Sequence, residues 1–323
     1  MTEKRSSFVA AYRLDGQGGG QMLTHDELAA AWATDASPLW MHLDFTHDDV
    51  DRYLNDIAEL DENIVEALLE EDTRPRVAHF PGGINTTLRG INLNPGASPE
   101  DLISLRVWIT ANRLITVRRR PLQSILRVRE YLDAGEGART VSELFAGMAD
   151  AMVDRVGERT HQIDDWLGDL EEKQLEDAPV DSDDITRIRR PLITLRRFMD
   201  PQYHCLSQLA EISLFDETGR LWLREAANQL YRYVEDFRAM QERALVMQEQ
   251  LRNDQDERLN ARMYLLAIIT TIFLPLGFLT GLLGINVGGI PGADNPWAFT
   301  IFVVLVLAIV LLQLLFFRKR HWW

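Results

Sequence analysis

An uncharged stretch near the C-terminus carries mostly small or polar side chains at a spacing of three and four residues. This set consists of Asn260, Met263, Ala267, Thr270, Leu274, Gly277 and Gly281. On a helix that spacing places them on one side, which we call the small-residue face. Such a face suits either close packing against another helix or a narrow, partly wet path for a solute. Two helices of one chain cannot enclose a path, so the second alternative requires several copies of the chain.

The opposite face of the same stretch is bulky and apolar, which suits contact with lipid or with a second helix. It consists of Leu265, Ile268, Ile272, Leu276, Leu279 and Leu283. Pro275 has no N–H group, so in a helix it leaves the carbonyl of Thr271 without its usual partner. That carbonyl could act as a ligand for a passing ion, although a kink is the commoner consequence of such a proline.

A segment rich in turn residues follows, from Gly284 to Trp297. Its sequence, GINVGGIPGADNPW, contains four glycines, two prolines and two asparagines. Backbone carbonyl groups and the Asn286 amide can replace part of the water shell of a cation without a fixed negative charge. The alternative is that these residues only connect two helices.

Conventional metal ligands are absent from the uncharged stretch itself. No His, Cys, Asp or Glu lies between Met263 and Leu283. A Zn²⁺ ion passing there would therefore keep its water or use carbonyl and amide contacts, because a tetrahedral zinc site needs such side chains. The same absence leaves no carboxylate or imidazole in this stretch that could carry a proton.

A possible metal site lies far upstream, where histidines and acids come close together in the sequence. Its candidate ligands are His42, Asp44, His47 and Asp48, followed by Asp49. The alternative is that the acids begin a helix and the histidines are ordinary surface residues. Cys205 is the only cysteine, which excludes an internal disulfide and a thiolate cluster within one chain, and we expect it to be structural.

Acidic residues flank the uncharged stretch on both sides. Asp254, Asp256 and Glu257 precede it, and Asp294 follows it. In several copies of the chain, rings of these carboxylates would concentrate cations at the ends of a path. The alternative is a solvated helix face with no role in transport.

Two apolar segments can position these residues in a membrane. Residues Met263 to Leu283 would span about 31 Å as a helix, and Ala298 to Phe317 form a second uncharged run. Arg258 and Arg262 precede the first run, and basic residues also follow the second, whereas the connection between the runs has no Lys or Arg. This asymmetry predicts cytoplasmic termini and an external connection. The N-terminus lacks the apolar core of a signal peptide.

The rest of the chain is charged and has the pattern of a water-soluble region. Strands are predicted at Ser7–Leu14, Pro38–Phe45, Arg76–Phe80, Ile84–Leu93, Leu102–Thr110 and Arg113–Arg118. Helices are predicted after Thr24, which forms a capping box with Glu27, and at Asp48–Ile57, Asp61–Glu71, Pro121–Ala134, Thr140–Glu176 and Ser182–Leu214. From Gly219 the helical pattern continues without a break into the first apolar segment, as a stalk. Its apolar stripe needs partners, either the preceding helices or other copies of the chain.

Composition narrows the class of protein. The net charge of −15 over 323 residues argues against nucleic-acid binding and is compatible with attraction of cations. The sequence contains no nucleotide-binding loop, no dinucleotide fingerprint and no nucleophile–base motif, so we expect neither an enzyme nor a bound cofactor.

The triplet Gly284-Ile285-Asn286, at the end of the first of two C-terminal spans, resembles the Gly-Met-Asn signature of the CorA metal-ion transporter superfamily. The Ile at the middle position and the run GINVGGIPG resemble the ZntB zinc-transporter branch of that superfamily. Further similarity lies in residues 73–77 and 195–202, and the order of segments agrees along the whole chain. The change from Met to Ile puts a preference for magnesium in doubt.

This resemblance implies an α+β membrane protein that assembles as a homopentameric funnel. An N-terminal α/β/α cytoplasmic domain would be followed by a long stalk helix that is continuous with the first of two transmembrane helices. The small-residue face would line a pore, and Gly284, Ile285 and Asn286 would form its outer entrance. The predicted segments are the α/β/α domain (1–139), the long-helix and stalk region (140–262), the first transmembrane helix (263–283), the external loop (284–297), the second transmembrane helix (298–317) and a basic cytoplasmic tail (318–323).

The function that the resemblance implies is zinc uptake across the inner or plasma membrane, coupled to protons. The partners would be the lipid bilayer, divalent cations, protons and further copies of the chain. Two alternatives remain open from the sequence: a channel for magnesium, cobalt or nickel, and a membrane-anchored cytoplasmic sensor or scaffold that conducts nothing. A pure anchor has no need of the small-residue face.

Overall fold

Alternating apolar side chains in the first third of the chain form one seven-stranded sheet in the computed structural model. The structure describes residues 6–34, 36–71, 74–176, 178–284, 292 and 295–319. Its contacts define two units, Met1–Gln248 and Glu249–Trp323. The elements in chain order are β1 (Phe8–Leu14), β2 (Gly20–Met22), α1 (His25–Thr34), β3 (Leu39–Asp44), a π-helix (Arg52–Ile57), α2 (Glu62–Leu69), β4 (Arg76–Phe80), β5 (Gly83–Gly90), β6 (Ile103–Ile109), β7 (Arg113–Arg118), α3 (Gln123–Ala134), α4 (Val141–Leu175), α5 (Ser182–Leu209), α6 (Glu217–Leu283) and α7 (Ala298–Lys319).

The sheet has the order β2-β1-β3-β7-β6-β5-β4, and only the β3–β7 pair is parallel among its described ladders. Helices cover both of its faces. Met41 and Leu43 of β3 belong to a core with α1, the π-helix and α2, whereas the neighbouring Trp40 stacks on Tyr12 beneath Arg129 of α3. This arrangement confirms the predicted α/β/α layers.

The strands predicted from alternation are all present, and the capping box is formed. The Thr24 backbone N–H donates to Glu27 at 2.8 Å, and the Glu27 N–H faces the Thr24 hydroxyl at 3.4 Å. Strand β2 was not predicted, because its three residues begin with Gly and two of them are exposed, so they carry no apolar alternation. Residues 52–57 form a π-helix where an ordinary helix was predicted.

The predicted stalk stripe is buried inside one chain. The apolar residues spaced by three and four on α6 are Leu223, Ala227, Leu230, Val234, Phe237 and Ala244, and each is at most 2% exposed. Arg243 of α6 also holds α4 through hydrogen bonds to Glu171 and Asp164. The partners that this stripe requires are therefore supplied by the preceding helices.

Helix α5 ends at Leu209, whereas the sequence predicted an end near Leu214. The chain turns earlier because Phe215 is buried against Phe145, with ring centroids 5.7 Å apart. Asp216 then accepts hydrogen bonds from the Gly219 N–H and the Thr140 hydroxyl, which fixes the start of α6 beside the start of α4.

Helix α5 also supports the sheet through Gln202, which follows Pro201 and is buried. Its side-chain oxygen accepts a hydrogen bond from the Arg89 backbone N–H at 2.5 Å. The pairing of β4 with β5 ends at Thr87, so this N–H lies beyond the ladder and needs a partner from elsewhere.

Two glycines of α4 provide a matched test of the contact between α4 and α6. A Cβ at Gly157 would lie 2.3 Å from the Tyr233 hydroxyl of α6, whereas a Cβ at Gly168 would meet no atom within 4 Å. We expect Gly157→Ala to lower the melting temperature, because the Tyr233 ring must shift and lose its hydrogen bond with Gln229. Gly168→Ala should raise the stability by up to about 1 kcal/mol, because alanine favours helix. Thermal unfolding of both purified variants checks this, and equal shifts would contradict close packing at Gly157.

Candidate functional site

The second unit contains two helices that are long and apolar enough to cross a membrane, the C-terminal part of α6 and the whole of α7. Almost none of the apolar residues in these segments is buried. A core helix of a soluble protein would hide such a surface from water, so the exposure points to lipid or other chains as the neighbours of these helices.

Each of the two helices has one row of less exposed side chains. On α6 the row comprises Ile268, Ile272, Pro275, Leu276 and Leu279, and on α7 it includes Phe302, Val306, Ile309, Val310, Gln313 and Phe317. Both rows follow the spacing of three and four residues that is typical of helix pairs. The bulky face of α6 therefore packs against α7 between Ile268 and Leu279, whereas its ends at Leu265 and Leu283 are 58% and 46% exposed.

The small-residue face lies on the other side of α6 and is exposed along its whole length. Met263 and Leu274 are 68% and 70% exposed, and a Cβ added at Gly277 or Gly281 would meet nothing within 4 Å. Asn260, Ala267 and Thr270 are exposed too. Within one chain, this face does not serve for packing against α7.

The chemistry of the small-residue face is polar without charge. The Thr270 hydroxyl donates its proton to the Leu266 carbonyl at 2.8 Å, so its oxygen can accept hydrogen bonds from water on the exposed side. Gly277 exposes backbone in the same way, because it has no side chain to cover it. Uncharged groups of this kind can form hydrogen bonds with water on the exposed side of the helix.

The carbonyl of Thr271 has a partner. Gln313 of α7 donates to it from Nε2 at 3.2 Å, which replaces the N–H that Pro275 lacks. In this structure the Thr271 carbonyl is used to hold α7, and its role as an ion ligand stays a hypothesis. The sequence did contain a signal for this contact, since Gln313 is the only polar side chain between Thr300 and Arg318.

Of the predicted outer entrance, only Gly284 is described, and its N–H donates to the Thr280 carbonyl at 2.9 Å as the last bond of α6. Ile285, Asn286 and Asp294 lie outside the described residues. At the other end of the face, Asp254, Asp256 and Glu257 are exposed on α6. Asp256 precedes Asn260 by one helical turn and so continues the small-residue face.

The upstream histidines and acids do not come together as a metal site. In the described part of the chain, no three His, Cys, Asp or Glu residues are placed to hold a metal ion, and His42, Asp44, His47 and Asp48 are within that part. His42 is buried, and its Nδ1 lies 2.7 Å from the Thr116 hydroxyl. Burial, together with the nearby Arg118, lowers the pKa of His42 to about 3, so this imidazole is a neutral part of the core.

The acids near His42 have local structural partners. Asp49 accepts hydrogen bonds from the Ser7 backbone and hydroxyl at 2.9 and 2.6 Å. Asp44 accepts from Thr46 at 2.7 Å. Cys205 is buried and its pKa is raised to about 11 by burial, which agrees with a structural thiol.

The chain resembles known proteins over nearly its whole length. A family model described as CorA-like Mg2+ transporter protein matches residues 35–319. Divalent cation transporter CmaX of Pseudomonas aeruginosa is 40% identical over 319 residues, which cover 97% of this chain and 96% of that protein. Zinc transport protein ZntB of Yersinia pseudotuberculosis is 32% identical over 319 residues, which cover 98% and 96%. The structure of the full-length CmaX protein matches with a TM-score of 0.86 at 38% identity and covers 100% of both chains.

The buried histidine makes a specific prediction about acid stability. His42 stays neutral in the folded protein down to about pH 3, whereas an unfolded histidine takes up a proton below about pH 6.5. Between these values the unfolded state binds more protons, so the stability supplied by His42 falls as the pH falls, by up to about 1.4 kcal/mol per pH unit.

We expect the difference in melting temperature between the unaltered protein and His42→Gln to shrink as the pH is lowered from 7 to 5. The variant at the exposed His79, His79→Gln, is the control and should follow the unaltered protein in parallel. A difference for His42→Gln that does not change with pH would show that this histidine titrates normally.

Proposed function

Because the chain belongs to the family of CorA-like Mg2+ transporter proteins, we propose that it moves divalent cations across a membrane through a path lined by α6 from several copies. The observation that carries this proposal is the exposed small-residue face, which lies opposite the face that packs on α7. A helix that only anchored a soluble region would need a face that packs on α7 and a surface that meets lipid, but it would not need the small-residue face. The same family membership argues against an enzyme.

The proposed assembly is a homopentamer in which α6 helices form the inner ring and α7 helices the outer ring. Two observations support this arrangement. Helix α7 carries no polar side chain between Thr300 and Gln313, which suits contact with lipid. The small-residue face of α6 does not pack against α7. Arg258 and Arg262 at one end, and Arg318 and Lys319 at the other, favour cytoplasmic termini. The protein would then lie in the cell membrane, with the connection between the spans outside.

The chemistry of the proposed path favours a hydrated ion. Rings of Met263 and Leu274 would form apolar constrictions, and the ring of Thr270 oxygens between them would hold water around the cation. No side chain in the span supplies a fixed charge, so binding would be weak enough for release. The Asn286 amides would meet the ion at the outer entrance, and Asp256 would raise the local cation concentration at the inner end.

Zinc is the ion that we propose first. The support is the Gly284-Ile285-Asn286 triplet and the 32% identity to zinc transport protein ZntB over nearly the whole chain. The higher identity to a protein named only as a divalent cation transporter makes a broader selectivity the competing proposal. Because the small-residue face has no tetrahedral zinc ligands, discrimination among ions would depend on how readily each ion exchanges part of its water shell for the Asn286 amides at the entrance.

Uptake into sealed proteoliposomes tests this function directly. We expect Zn²⁺ to enter vesicles that contain the pentamer, with Mg²⁺ compared under the same voltage and with and without an inward proton gradient. Zinc uptake that rises with the gradient supports proton coupling, and uptake indifferent to it indicates a passive channel. A pentamer, verified by native mass measurement, that passes neither ion would overturn transport and favour a sensor or scaffold.

A bulky side chain at Gly277 tests which face lines the path. We expect Gly277→Phe to reduce the initial rate of uptake at least about tenfold, because a ring of phenyl groups would fill the space that the glycine leaves open. Leu307→Phe is the control, because it places the same phenyl group on the exposed surface of α7 and should leave the rate unchanged. Equal rates for both variants in intact pentamers would move the path away from Gly277.

A further inference from the structure

We infer that Gln313 of α7 is a positioning residue, which holds the proline-interrupted turn of α6 in the shape that the transport path requires. The hydrogen bond from Gln313 to the Thr271 carbonyl is observed in the structure. Its consequence for ion flux rests on the proposed function.

The need for this hydrogen bond follows from the solvent. Pro275 removes the helical donor for the Thr271 carbonyl, and a lipid interior offers no water to replace it. A carbonyl left without a partner in that environment is destabilising. Gln313 supplies the missing donor at 3.2 Å, so the turn can keep its proline without an unpaired backbone group.

Gln313 itself is unusual for its position. It is the only polar side chain between Thr300 and Arg318, and a primary amide is costly in a membrane span unless it has a partner. It lies on the packing row of α7, four residues before the buried Phe317. A carbonyl can only accept, so the amide must present its nitrogen to Thr271. Its oxygen is buried without a partner among the described residues, which indicates that the donor half of the amide is the part in use here.

The turn that Gln313 supports lies in the middle of the small-residue face. Thr270, Leu274 and Gly277 line an open groove together with Pro275, on the side of this turn away from Gln313. Met263 and Ala267 precede the turn, and Gly281 follows it, so its geometry decides whether the two halves of the face stay aligned. Losing the hydrogen bond would leave each half intact and change the angle between them.

A double-mutant cycle separates this role from a general packing effect. Gln313→Leu removes the donor and keeps the bulk, whereas Pro275→Ala restores a backbone N–H for the Thr271 carbonyl. We expect Gln313→Leu alone to lower the melting temperature by about 2–4 °C and the maximal uptake rate about fivefold, the size of one ordinary hydrogen bond. In the Pro275→Ala background the same substitution should change neither quantity. The half-saturating zinc concentration should stay constant, because Gln313 does not touch the ion.

Thr300→Val is the matched control, because it also removes a polar group from α7 but lies near the start of that helix. It should have the same small effect in both backgrounds. Additive shifts in melting temperature for Gln313→Leu and Pro275→Ala would overturn the hydrogen bond as the coupling. Coupled melting temperatures with undiminished uptake by Gln313→Leu would overturn the positioning role. If the unaltered pentamer transports no ion, the proposed function fails, and the melting temperatures alone still decide whether the two residues are coupled.

Discussion

Lipid offers no hydrogen bonds, and this constraint governs the arrangement of the second unit. Each backbone group in the spans must find its partner inside the protein, so α6 and α7 are continuous helices. Even the interruption at Pro275 is repaired, by a donor from the other helix. Once that bond fixes which side of α6 meets α7, the opposite side is left exposed, as the proposed path requires. The packing face and the small-residue face are thus two results of one requirement.

Much of this architecture was predictable because it depends on local patterns. Alternating apolar residues predicted the main strands, and the Thr24–Glu27 capping box predicted the start of α1. Two long runs without charged residues predicted both candidate membrane helices. The spacing of the apolar residues on the stalk required partners, and the preceding helices of the same chain supply them. Strand β2 and the π-helix were missed, because the former has too few residues for a pattern and the latter differs from an α-helix only in its hydrogen bonds.

The candidate site was predictable in its faces but not in its contacts. The small-residue face could be read from spacing, and the exposure of Met263 and Leu274 agrees with it. The partner of the Thr271 carbonyl lies 42 positions away in the sequence, and no local pattern reports such a pairing. His42 shows the converse case: its neighbours in sequence suggested a metal ligand, yet burial against Thr116 makes it a neutral core residue. Sequence proximity of ligand types therefore does not show that their side chains converge on one point.

The solitary cysteine has a practical consequence. Cys205 is buried, and its pKa is raised to about 11, so at neutral pH its thiol reacts slowly with soluble reagents. The natural chain is therefore close to a cysteine-free background for site-directed labelling. Single cysteines can be introduced along α6 one at a time, and the rate at which each is modified can be measured with a water-soluble reagent and with a lipid-soluble reagent. The faces of that helix in the assembled protein are thus open to mapping without removing a native thiol first.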